Sequence, residues 1–190
     1  MYYHASPVKG INILEPRISN HGTPRVYLSE KRENTLVYLS NAIEKYCKET
    51  CFAFDGPWPK WGSYGFHNGL LCLDEYYPGA LEDTYKGVPG YIYCVETVPS
   101  LKPMADIPGA FFTEEPLPVY GCEYVPDALK AILAAAEQGL IIIRRYEELP
   151  NSMLQWIEHS IKQEYEDKDS SPTYRHFLMG KFPEIIARLG

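Results

Sequence analysis

The chain has 190 residues, 45% of them hydrophobic and 23% charged, enough for one domain that buries its own core without staples. A formal charge of −7 opposes a nucleic-acid backbone over most of the surface, and the basic runs Lys31-Arg32 and Arg144-Arg145 are too short to form a binding stripe. No signal peptide and no run of ~18 apolar residues is present, which speaks against a membrane partner, and the odd set of five cysteines reads as reduced thiols in a cytoplasmic protein.

A short strand is expected at 2–5, followed by "INILEPR", a polar turn "SNHGTP" and the strand "RVYLS". After Ser29, the residues Leu36, Leu39, Ala42, Ile43, Tyr46 and Cys47 recur at helical spacing, so a helix of about four to five turns capped by Ser29 is predicted. "CFAFD" suits a strand, and "GPWPKWGSYGFHNG" reads as a long loop or hairpin arm. A strand and one or two helical turns follow in "LLCLDEYYPGALEDTYKG", then the alternating strand "GYIYCVET". Residues 99–109, with three prolines, form an extended crossing or mobile loop.

"FFTEEPLPVYGCEYV" reads as a strand pair or one bent strand, broken near Pro116 and Pro118. Asp127 is the expected cap of "ALKAILAAAEQG", which Gly139 closes. "LIIIRRY" is a continuous apolar strand, and Ser152 with Gln155 offers a capping box for "MLQWIEHSIKQEY". The last helix, "TYRHFLMGKFPEIIARL", should break near Gly180 and Pro183. Strands in runs, without regular alternation with helices, predict an α+β class with mainly antiparallel split sheets and flanking helices. Residues 1–190 read as a single domain, with an α+β core over 1–150 and C-terminal helices over 151–190.

The phosphate-cradling glycine loop, the zinc-protease helix and the nucleophile elbow are all missing. Cys47 and Cys51 share helical i,i+4 spacing, yet no second pair completes the four ligands of a zinc site, so no metal is expected. Asp74, Glu75, Glu82 and Asp83 lie near tyrosines without metal-site spacing, and His67, His159 and His176 are scattered. Trp58, Trp61, Tyr64 and Phe66 make either a lid over a ligand or a packed loop. Three short pieces remain: "YHAS" at 3–6, "VYLS" at 26–29 and "FTEEPLPVYG" at 112–121. Strand alternation groups His4 with Tyr2 and Ser6, and Tyr27 with Ser29. Glu114 and Glu115 precede an apolar strand, where a carboxylate can reach over a sheet edge.

In this order, "YHAS", "LEP", "VYLS" opening a helix, and a late Glu before "PLPVYG" resemble the ADP-ribosyltransferase fold. The resemblance is to its histidine–tyrosine–glutamate class, that of diphtheria-type toxins, poly(ADP-ribose) polymerases and rifampin-modifying enzymes. It covers residues 2–40 and 108–125, about a third of the chain, and rests on order more than on any single motif. It implies NAD as the bound substrate, with His4 on a ribose hydroxyl, the Ala5 backbone on the carboxamide, Tyr27 stacked on the nicotinamide and Ser29 lining the same wall. Glu115, or else Glu114, would stabilise the positive charge that grows on the ribose as nicotinamide leaves. The function implied is transfer of ADP-ribose to an acceptor the sequence does not name, or hydrolysis of NAD. The alternative is a non-catalytic binding protein on the same fold.

Overall fold

Every second side chain of Tyr2–Ser6 and Pro24–Ser29 turns to the same face, and this alternation gives the central sheet one core on each side. The computed structural model describes residues 1–18, 22–40, 42–54 and 64–189. In chain order, β1 (Tyr2–Ser6), β2 (Ile13–Leu14), β3 (Arg17–Ile18) and β4 (Pro24–Ser29) lead to a 3₁₀ helix, Glu33–Leu39, and to α1 (Ala42–Glu49). β5 (Tyr64–His67), β6 (Leu70–Asp74), α2 (Ala80–Tyr85) and β7 (Gly90–Val95) follow. Next come β8 (Lys102–Pro103), β9 (Ala110–Thr113), β10 (Leu117–Pro118), β11 (Gly121–Val125), α3 (Ala128–Glu137) and β12 (Ile141–Arg144). The chain ends in α4 (Asn151–Glu166), α5 (Pro172–Lys181) and α6 (Pro183–Ala187).

The main sheet has seven strands, in the order β11-β7-β1-β4-β9-β8 with β3 paired to β4, and its ladders are antiparallel. β10 and β2 form a two-stranded patch, and β12-β6-β5 a third sheet in which β12 runs parallel to β6. The parallel pair explains the unbroken apolar run Ile141–Ile143, since parallel strands are covered on both faces. Mixed helices and mainly antiparallel open sheets make the protein α+β.

One face of the sheet, reached by Ala5 and Ile92, packs on the 3₁₀ helix and α3 through Leu36, Val37 and Ile132. The other, reached by Val26, Leu28 and Val95, is closed by Leu14 and Leu117 of the β2–β10 patch. A separate core joins α1 to the C-terminal helices through Ile43, Cys47, Ile157, Ile161, Phe177 and Leu178, with Tyr77 and Ala80 from the α2 region. Residues 151–190 therefore complete a core begun by α1 and α2.

The long helix predicted after Ser29 is two short ones. Ser40 adopts extended backbone (φ −68°, ψ 148°) between them, and the Ser29 hydroxyl accepts from the Lys31 amide at 3.1 Å instead of capping the 3₁₀ helix. β-Branched Thr35 and Val37 lower helix propensity there, while both are buried where they lie. "CFAFD" forms no strand over its described residues, 51–54: Cys51 turns the chain at φ +55°, and Phe52 stacks on His176 with centroids 4.1 Å apart. α4 begins at Asn151, one residue before the predicted cap Ser152, after Pro150 and with no side-chain cap. The nearby Glu148 instead accepts from the Arg145 amide at 2.8 Å. Asp127 does cap α3, and the final helix does break at Phe182, between Lys181 and Pro183.

Candidate functional site

β1 and β4 meet at a single pair, Tyr3 opposite Ser29, whereas β1 stays in register with β7 over its whole length. Beyond that pair the two central strands part, and the carbonyl of Tyr27 loses the backbone donor a continuous ladder would give it. The His4 ring replaces that donor: its Nδ1 lies 2.8 Å from the Tyr27 oxygen. A carbonyl can only accept, so Nδ1 carries the proton in this bond. The sheet thus opens at the place where two of the predicted residues meet.

Their side chains leave that point on opposite faces. The Tyr3–Ser29 pair sets Tyr3, Ala5, Tyr27 and Ser29 on one face and Tyr2, His4 and Leu28 on the other. Tyr2 meets Phe111 edge-on at 4.8 Å on the His4 side. Ala5 and Ser29 are buried, 9% and 6% exposed, while His4 and Tyr27 are half-buried. Ala5 packs into the core beneath the 3₁₀ helix.

Glu114 and Glu115 lie elsewhere. Val26 pairs with Thr113, so the two carboxylates follow the end of β9, level with Arg25 and Pro24, while His4 is level with Leu28 on a strand two places across. Glu115 stands in a bend beyond the end of β9, and β9 lies two strands across from the β1 strand that carries His4. The Glu115 amide donates to the Thr113 hydroxyl at 3.1 Å, which fixes the turn. Glu114 Oε1 sits 3.4 Å from Arg25 Nε and 3.5 Å from its Nη2. Arg25 Nε is buried without an aligned hydrogen-bond acceptor, so this is a contact of charges.

Around Tyr27 the sheet face is half covered. The 3₁₀ helix and α3 lie over β11, β7 and β1, and the Tyr38 hydroxyl, 3.0 Å from that of Tyr64, closes the margin of this layer. Burial, with the neighbouring Tyr64, pushes the Tyr38 hydroxyl well above the ordinary phenol range, so it stays protonated. Arg32 at the start of this layer is tied to Glu123 of β11, Nε to Oε2 at 2.8 Å; that hydrogen bond holds the Glu123 carboxyl below its usual range.

Over β4, β9 and β8, no described element covers the same face. Tyr27 is directly opposite Phe112, which is directly opposite Lys102, and the Arg25 guanidinium stands over the Phe112 ring at 4.0 Å. Among the described residues, two rings and two cations thus share this strip, a combination suited to stacking a planar group and holding an anion. The alternation in "RVYLS" already puts Arg25, Tyr27 and Ser29 on one face. Phe112 and Lys102 needed the register of two further strands.

Of the proposed lid, Trp58 and Trp61 lie outside the described residues, while Tyr64 and Phe66 pack partly buried against the main core. Cys47 is buried and Cys51 exposed, and among the described residues no group of three metal-ligating side chains converges. No helix among the described residues is long and apolar enough to cross a membrane. Comparison of the chain with family models, with curated proteins and with solved structures finds no match.

Proposed function

We propose that this chain is an ADP-ribosyltransferase-like protein that binds NAD at the opening between β1 and β4 and does so as a binding protein, without the glutamate-assisted cleavage of the nicotinamide–ribose bond. The observation that carries the reading is the His4 ring bonded to the Tyr27 carbonyl at 2.8 Å, which joins the two motifs at one break in the sheet. In this reading the Ala5 backbone meets the carboxamide and Tyr27, with Ser29 on the same face, supplies the stacking ring, while His4, whose side chain leaves on the other face, fixes the Tyr27 carbonyl at the opening. Cleavage needs a carboxylate fixed where positive charge develops. Glu114 is engaged with Arg25 and Glu115 stands in the bend beyond β9, two strands across from β1, which favours binding over chemistry.

The test is calorimetric titration of the full chain with NAD, alongside an assay for released nicotinamide. Saturable binding that His4→Ala weakens at least tenfold, with no nicotinamide release, is the expected result; tenfold corresponds to about 1.4 kcal/mol, a typical hydrogen-bond loss. Release that Glu115→Ala abolishes would replace the binding reading with the transferase or glycohydrolase one. No binding at millimolar NAD would end both.

A further inference from the structure

The geometry points to an anion subsite on the strip of β4, β9 and β8: Arg25 and Lys102, set about the Phe112 ring, receive the pyrophosphate of a dinucleotide whose planar end lies toward Tyr27. Glu114 is the internal carboxylate that this pyrophosphate displaces. The inference rests on the nucleotide reading of the cleft and narrows it to phosphate-bearing ligands.

Four observations support it. Lys102, Phe112 and Tyr27 are in register across β8, β9 and β4, so their side chains rise from one face in a row. Arg25 lies two residues before Tyr27 on that face, its guanidinium carbon 4.0 Å from the centre of the Phe112 ring, so the charge is carried onto the strip. Its bond to Glu114 is poor: 3.4 and 3.5 Å, with Nε buried and lacking an aligned acceptor, where a well-formed guanidinium–carboxylate fork makes two bonds of 2.7–2.9 Å. The protein makes such a fork elsewhere, at 2.6 and 2.7 Å between Arg144 and Asp74, so the loose geometry at Arg25 belongs to this site. Glu114 is also about half exposed, 49%, so it can turn to water when a stronger anion arrives. A phosphate ester offers more acceptor oxygens than a carboxylate and satisfies the guanidinium edge that Glu114 leaves unmatched.

The roles of the two neighbours have opposite signs, which makes the inference sharp. As a catalytic carboxylate, Glu114 would lose function when neutralised. As a competitor for Arg25, it holds ligand anions off, so Glu114→Gln should tighten them.

The experiment titrates NAD, nicotinamide riboside and inorganic pyrophosphate into the wild-type chain and into Arg25→Gln, Lys102→Gln and Glu114→Gln, at low and high salt. Expected are a loss of about tenfold in NAD and pyrophosphate affinity for Arg25→Gln, a smaller loss for Lys102→Gln, and a gain of about threefold for Glu114→Gln, all reduced at high salt. The riboside, which carries no phosphate, should be unaffected by all three. Lys102 is exposed, so its variant remains informative if removal of Arg25 from the Phe112 ring disturbs folding. Pyrophosphate that does not bind, an Arg25→Gln loss equal for NAD and the riboside, or a Glu114→Gln variant that weakens NAD would each overturn the subsite. Pyrophosphate binding with this pattern in a chain that ignores NAD would keep the subsite and remove the NAD reading.

Discussion

Gly180 lacks a side chain because Tyr46 occupies the space one would fill. A β-carbon added there would overlap both the Tyr46 hydroxyl and the ring carbon Cζ that bears it. Tyr46 cannot easily yield, since its ring is bounded by His176 at 5.2 Å, by Phe177 edge-on at 5.8 Å and by the Lys181 ammonium at 4.8 Å. Helix propensity alone favours alanine over glycine inside α5 by about 1 kcal/mol. Overpacking of a filled interface costs about 1–3 kcal/mol and takes the opposite sign. Gly180→Ala should therefore destabilise the protein, by up to about 2 kcal/mol net in denaturant unfolding; a stabilised variant would mean that the α1–α5 contact repacks freely. The glycine stood out in the sequence as a helix breaker, yet the helix continues through it to Lys181 and stops at Phe182, before Pro183. Its role is close packing, which no local pattern announces.

Among the elements, those governed by neighbours in sequence could be read directly. Asp127 takes extended backbone and its carboxylate accepts from the Lys130 amide at 3.2 Å, while Gly139 turns left-handed at φ +72° after the helix. Asp127→Ala should cost about 1 kcal/mol in thermal or chemical unfolding, with Asp127→Asn retaining most of it, because an N-cap needs an acceptor and not a charge. Elements governed by distant partners were less legible. "CFAFD" has strand composition, but Phe52 is drawn to His176, which the chain reaches only after 124 further residues. The periodicity after Ser29 is real, since Leu36, Leu39, Ile43 and Cys47 are all buried, yet they serve two cores, and Ser40 bends the chain between them. The site was legible by half for the same reason. Alternation assigns His4 and Tyr27 their faces, but the level of Glu114 and Glu115 against them depends on the β4–β9 register, which a connection of eighty residues between Ser29 and Ala110 leaves open.

At the scale of the whole molecule, the sheet body and the helical body are joined at Asp83 of α2. Its carboxylate accepts from the Lys181 ammonium of α5 at 2.6 Å and from the Tyr77 hydroxyl at 2.6 Å, while Lys45 of α1 donates to its carbonyl at 3.0 Å. Burial by itself would raise the Asp83 carboxyl, but the hydrogen bonds from Lys181 and Tyr77 outweigh it and hold the group below its ordinary value. An aspartate in the unfolded chain titrates near 3.9. Above about pH 5 the carboxyl is ionised in both states and the stabilisation is fully present; as pH falls through the depressed folded value, the native state must take up a proton and the stabilisation is lost. Asp83→Asn, which keeps the shape and removes the charge, should lower stability by about 1–2 kcal/mol at neutral pH, the range of a charge-assisted hydrogen bond in a half-buried setting. The gap between wild type and variant should then narrow as the pH falls below about 4, in melting curves taken down to about pH 2. A gap that stays constant down to pH 2 would place the loss in packing rather than in the Asp83–Lys181 charge pair, and the acid lability of the joint between the two bodies would need another carboxylate.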